Sequence, residues 1–99
     1  MNKFGLDNET IDLILGVLTK YLNINEVKIY GSRAKGNFRN GSDIDLSIEL
    51  DDNKLLGEIL YELENLPLPY MFDLTNYNTI KNQNLKEHID RVGKQLKII

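Results

Sequence analysis

The chain has 99 residues, 41% of them hydrophobic and 27% charged, an ordinary globular composition that fits a single small domain spanning 1–99. It has no cysteine, which excludes a disulfide framework and a thiolate metal site. A net charge of −3 argues against a protein that lives on nucleic acid, and no apolar run reaches the roughly 20 residues of a membrane span or resembles a leader; the expectation is a cytoplasmic protein with no membrane and no direct nucleic-acid contact.

Apolar residues Ile11, Ile14, Leu15, Val17, Leu18, Tyr21 and Leu22 recur at helical spacing and predict a first helix over 8–22, with Asn8 as its N-cap. Acidic Asp7, Glu9 and Asp12 suit the dipole of its first turn. Residues 27–30, β-branched and aromatic and followed by glycine, predict a strand. A short helix is expected over 32–36 and a loop over 37–42, which holds Gly41 and two asparagines. Residues 43–50 alternate strictly: Ile44, Leu46, Ile48 and Leu50 on one face, Asp43, Asp45, Ser47 and Glu49 on the other.

A leucine-rich stripe predicts a helix over 54–64, stopped by Pro67 and Pro69. Residues 70–75 predict a third strand, with Phe72 and Leu74 facing one way and Met71, Asp73 and Thr75 the other. A last helix is expected over 85–92, ended by Gly93. The order α-β-α-β-α-β-α implies an α/β (α+β) fold, a small mixed sheet of three or more strands with helices packed on its apolar face. The helical connection between the second and third strands favours a parallel pair.

The chemistry concentrates between residues 30 and 50. On a strand, residues i and i+2 project from one face at a spacing of roughly 6.5–7 Å, so Asp43 and Asp45 converge on one volume. Two carboxylates so close repel unless a cation lies between them, and hard oxygen donors without histidine or cysteine favour Mg²⁺ or Mn²⁺. Mg²⁺ fills the rest of its shell with water and phosphate oxygens, which points to a nucleoside triphosphate. Gly31 permits close backbone approach, and Ser32, opening a helix, offers amide groups and a dipole that attract phosphate. Lys28, Arg33, Lys35 and Arg39 form a local basic patch in an acidic chain, and Lys35 or Arg39 adds charge for a phosphate tail. Asp73 lies on the next strand with the parity to join the pair; Glu49 is a rival by parity but sits further along its strand. The expected nucleotide-binding set is Gly31, Ser32, Lys35 and Ser42, and the expected metal and catalytic set is Asp43, Asp45 and Asp73.

Taken singly, each of these features has a bland reading as a turn or a solvated polar face. Their ordered combination is specific: Gly31-Ser32, ten residues, Asp43-Ile44-Asp45, then an aspartate on the next strand. It resembles the signature of the polymerase β-like nucleotidyltransferase superfamily, and the small size and the ending NLKEHIDRVGKQLKII look like the minimal nucleotidyltransferases, the MNT or MntA-like antitoxins. The resemblance implies that Asp43, Asp45 and Asp73 hold two Mg²⁺ ions and that Gly31 and Ser32 hold the triphosphate. It further implies transfer of AMP from ATP to a tyrosine of a helical HEPN-type ribonuclease toxin, the chemistry of a type VII toxin–antitoxin pair, within a hetero-oligomer; a homo-oligomer of the chain alone stays open. The alternative is a binding module that silences its partner by occlusion. Nucleotidylation of a small molecule such as an aminoglycoside ranks last, because such enzymes carry an added acceptor domain.

Other residues carry no function by this reading. His88 lies far from the motif and reads as an ordinary helix residue, and Asp51-Asp52 reads as a turn. The tyrosines 21, 30, 61, 70 and 77 mostly fit apolar stripes, with Tyr77 the one candidate to stack on a base.

Overall fold

The computed structural model describes residues 4–96. Helix α1 is Asn8–Leu18, capped by Asp7, whose Oδ1 accepts from the Thr10 amide at 2.8 Å. The cap is thus one residue earlier than expected, because the aspartate already occupies the extended conformation from which a side chain reaches the third amide of a helix. That bond holds the Asp7 carboxyl below its ordinary pKa. The helix stops at Leu18 and not at 22: the Lys20 and Tyr21 amides bond three residues back, and Leu22 is left exposed. Tyr21 instead turns its hydroxyl to Glu58 and Glu62.

Strand β1 is Ile24–Tyr30, longer than its apolar run predicts and irregular in register between Ile24 and Glu26. Helix α2, Gly31–Lys35, follows without a break and ends at Gly36 in the left-handed region, with φ 90°. Strand β2 is Ile44–Leu50, so Asp43 lies just ahead of it. The predicted helix over 54–64 is divided into a 3₁₀ turn, Asn53–Leu55, and helix α3, Leu56–Glu64. Strand β3 is Phe72–Asn76, and a 3₁₀ turn at Tyr77–Thr79 leads to helix α4, Gln83–Val92. Gly93 caps α4 as expected, in extended and not left-handed geometry. A two-residue strand β4, Lys94–Gln95, was not expected.

The sheet order is β3-β2-β1-β4, with β2 and β3 parallel and β1 antiparallel to both β2 and β4. Alternation puts Val27, Ile29, Ile44, Leu46, Ile48, Leu50, Phe72 and Leu74 on one face, where they meet Ile11, Ile14 and Leu18 of α1 and Ile59 and Leu63 of α3 in one buried cluster. Asn76 closes the end of the β2–β3 pair: its side chain is buried, donates to the Leu50 carbonyl at 3.1 Å and accepts from the Leu50 amide at 3.2 Å. A buried amide is tolerated because both of its ends are paired.

Not all helices pack on the apolar face. Helix α4 packs against β1 and α2, with His88 edge-on to Tyr30 at 6.1 Å and Asp90 accepting from the Tyr77 hydroxyl at 2.7 Å. Tyr30 shares a face with Asp45, so α4 covers part of the second, polar face. Tyr30 and Ser47 are accordingly buried on that side, where strict alternation predicts exposure.

Candidate functional site

Across the polar face runs one row of register partners. Tyr30 on β1 faces Asp45 on β2, and Asp45 faces Asp73 on β3. Asp45 is half-buried and Asp73 exposed, and the Tyr30 hydroxyl lies 3.2 Å from Thr75 Oγ1. The Asp45 carboxyl is pushed up to about 6, first by burial and then by the charges of Asp73 and Asp43. Asp45 therefore senses both other carboxylates of the expected set.

Gly31 closes the row from the β1 side. Its φ is +72°, and a Cβ there would overlap the Asp45 carboxylate. Glycine is thus required twice, for the left-handed turn out of β1 and for the seat of Asp45 against the backbone. The turn opens α2 with no side-chain cap, so its first amides lack both a helical acceptor and a capping side chain.

The basic patch is smaller than the sequence suggests. Arg33 is 2% exposed and cannot meet a ligand. Lys28 lies on the sheet, 3.9 Å from Glu26, while Lys35 and Arg39 remain exposed. Ser42 is engaged locally: its Oγ accepts from the Arg39 amide at 2.8 Å and its carbonyl accepts from Arg33. Ser32 is half-buried at the start of α2.

Two other readings change. His88 is brought against Tyr30 and so neighbours the row, a proximity that sequence distance hides. Tyr77 donates its hydroxyl to Asp90, and Lys86 lies over its ring at 5.1 Å, so one ring face already has a partner.

Among the described residues, no three histidine, aspartate or glutamate side chains are gathered into a ready cage for a metal ion. Asp43, Asp45 and Asp73 instead form an open set, with Asp43 exposed ahead of β2. The donors still fit Mg²⁺: all are hard oxygens, and Asp45 bears an uncompensated repulsion that a divalent cation relieves. An ion that takes one or two carboxylates and completes its shell with water and phosphate does not need a closed cage.

The family described as polymerase beta, nucleotidyltransferase matches residues 12–98, spanning the Gly-Ser turn, both aspartates of the DxD pair and Asp73. The chain belongs to this nucleotidyltransferase family. Among solved structures, a toxin–antitoxin crystallised with AMP-PNP superposes with a TM-score of 0.73 at 23% identity, covering 88% of this chain and 72% of that one. The toxin–antitoxin MntA–HepT gives 0.68 at 20% identity, covering 92% and 72%. A tri-AMPylated Shewanella oneidensis HEPN toxin in complex with MNT antitoxin also gives 0.68 at 20%, covering 90% and 70%. At these identities the likeness is one of fold, and it agrees with the mixed four-stranded sheet of this nucleotidyltransferase. No curated protein matches the sequence.

Proposed function

We propose that this nucleotidyltransferase moves AMP from ATP onto a tyrosine hydroxyl of a HEPN-type toxin and thereby acts as its antitoxin. The observation that carries the reading is the row in which Asp45 is flanked by Asp73, with Gly31 seated against its carboxylate. The folds it matches support the acceptor: one is a toxin–antitoxin bound to AMP-PNP and another contains a tri-AMPylated HEPN toxin.

In this reading the amides of Gly31 and Ser32 receive the phosphates, and exposed Lys35 adds charge beside them. Asp43, Asp45 and Asp73 would hold Mg²⁺, which supplies charge neutralisation on the α-phosphate and on the departing pyrophosphate. Asp73, the outermost of the row, takes the proton from the tyrosine hydroxyl as its oxygen bonds to the α-phosphorus. The α–β phosphoanhydride bond breaks, and pyrophosphate leaves with the electron pair.

The test is intact-mass spectrometry of a HEPN-type partner incubated with this chain, ATP and Mg²⁺, beside the Asp43→Asn variant. Mass increments of one or more AMP, lost in the variant, are expected. A partner that is silenced without gaining mass, by parent and variant alike, would overturn the reading in favour of occlusion.

A further inference from the structure

Arg33 is the largest fully buried side chain among the described residues. Four of its hydrogen bonds go to backbone carbonyls: Nε and Nη2 to Ser42 at 3.2 and 3.0 Å, Nη2 to Asn40 at 3.3 Å, and Nη1 to Phe4 at 2.9 Å. Its guanidinium is also packed against two aromatic rings, 5.1 Å from the centroid of Phe38 and 4.9 Å from that of Tyr70. No carboxylate among the described residues lies in ion-pair distance of it. A buried cation without a counter-ion is costly, and here carbonyl dipoles and ring faces replace both water and anion.

These partners are placed so as to set the site. Arg33 belongs to α2, directly after Gly31 and Ser32. Asn40 and Ser42 are in the loop leading to Asp43, and Tyr70 precedes the strand that carries Asp73. One guanidinium therefore joins the Gly31-Ser32 turn to the entrances of both aspartate-bearing strands.

We propose that Arg33 is a positioning residue: it fixes the Gly31-Ser32 turn relative to Asp43, Asp45 and Asp73 without touching nucleotide or metal. The planar fork is what the role requires. A lysine ammonium at this place offers three donors from a single point and cannot bond the Ser42 carbonyl twice while also reaching Phe4. The functional half of the inference rests on the nucleotidyltransferase reading of the site; the structural half does not.

The experiment uses Arg33→Lys and Arg33→Ala in the full chain, with Leu50→Val as a control that weakens the core at the opposite end of β2 from the loop. Three quantities are read well below each melting point: Mn²⁺ binding by electron paramagnetic resonance in the presence of a non-hydrolysable ATP analogue, amide exchange of residues 39–43, and recovery of both on adding methylguanidinium. Arg33→Lys is expected to weaken Mn²⁺–nucleotide binding at least tenfold and to speed exchange of the loop, whereas Leu50→Val leaves both unchanged. Methylguanidinium, but not methylammonium, is expected to restore Arg33→Ala. Should these variants not fold, Tyr70→Leu keeps the arginine and its carbonyl bonds and removes one ring, and a severalfold loss of Mn²⁺–nucleotide affinity is expected. A folded Arg33→Lys, or in its place Tyr70→Leu, that binds like the parent overturns the inference. If the parent itself binds no Mn²⁺–nucleotide, the proposed function fails, and loop exchange with its methylguanidinium rescue still decides whether Arg33 holds the loop.

Discussion

Asp45 and Asp73 are register partners across the parallel β2–β3 pair, and their carboxylates repel across it. Like-charged residues directly opposite one another weaken a sheet. The folded protein therefore carries an electrostatic cost on the row where its chemistry is proposed to occur.

That cost has a sign in pH. The Asp45 carboxyl is pushed up to about 6 in the folded protein from its ordinary 3.8, so between those pH values the native state holds a proton that the unfolded chain has released. Stability of the metal-free protein should then fall as pH rises from about 4 to about 6 and level off above. Asp45→Asn is expected to raise metal-free stability at pH 7 by roughly 1 kcal/mol, a figure reduced for solvent screening of a half-exposed group. The gain should vanish below pH 4. Urea titrations of both proteins at pH 4 and 7 check this, and a variant equal to the parent at pH 7 contradicts it.

Asp43 and Asp73 are exposed, so changing them should spare the fold and remove the reaction. Asp73→Asn should lower AMP transfer by about 100-fold or more, the usual worth of a positioned base. Asp43→Asn should do at least as much by loss of a proposed metal ligand. Circular dichroism confirms folding, and quantitative mass spectrometry reads the rate.

Gly31→Ala combines a left-handed backbone with an overlap on the Asp45 carboxylate. A β-carbon in that region costs about 1–2 kcal/mol before the overlap is counted. We expect a loss larger than that in denaturant unfolding, together with loss of transfer. Gly16→Ala, where an added Cβ meets nothing within 4 Å, is the control and should be stabilising or neutral.

Asn76→Ala should cost about 1–3 kcal/mol, because it takes the buried side-chain acceptor from the Leu50 amide and leaves the Leu50 carbonyl only the Asn78 side-chain donor. Asn76→Asp should not rescue it, since an aspartate cannot donate to the Leu50 carbonyl. Thermal melts of the two variants beside the parent measure both.

Much of this arrangement is legible in the sequence. The period-two alternation of residues 44–50 and 72–74 gives each side chain its face, and the helical crossover gives the parallel pairing that brings Asp73 beside Asp45. What escapes the sequence has physical reasons. Lys94 and Gln95 pair with β1 by backbone alone and show no apolar alternation. The side on which α4 packs depends on tertiary contacts of His88 and Ile89 that no local period encodes. Arg33 reads as surface charge because a basic residue in a glycine-bearing loop is normally solvated, and its cage of carbonyls and rings comes from three separate parts of the chain: Phe4, residues 38–42 and Tyr70. Asp7 and Asn8 are both good caps, and only the backbone angle at Asp7 decides between them.

The Arg33 bonds also explain what kind of information the stretch between Ser32 and Asp43 carries. Its contacts at positions 40 and 42 are main-chain oxygens, which every amino acid supplies, while residues Asn37, Asn40 and Gly41 are exposed and have no role assigned to their side chains. The segment thus acts as a ruler: its length is read and its lettering at these three places is not. Many different spellings there would leave the aspartates in place, whereas one residue added or removed would slide the counted oxygens past the guanidinium and carry Asp43 with them.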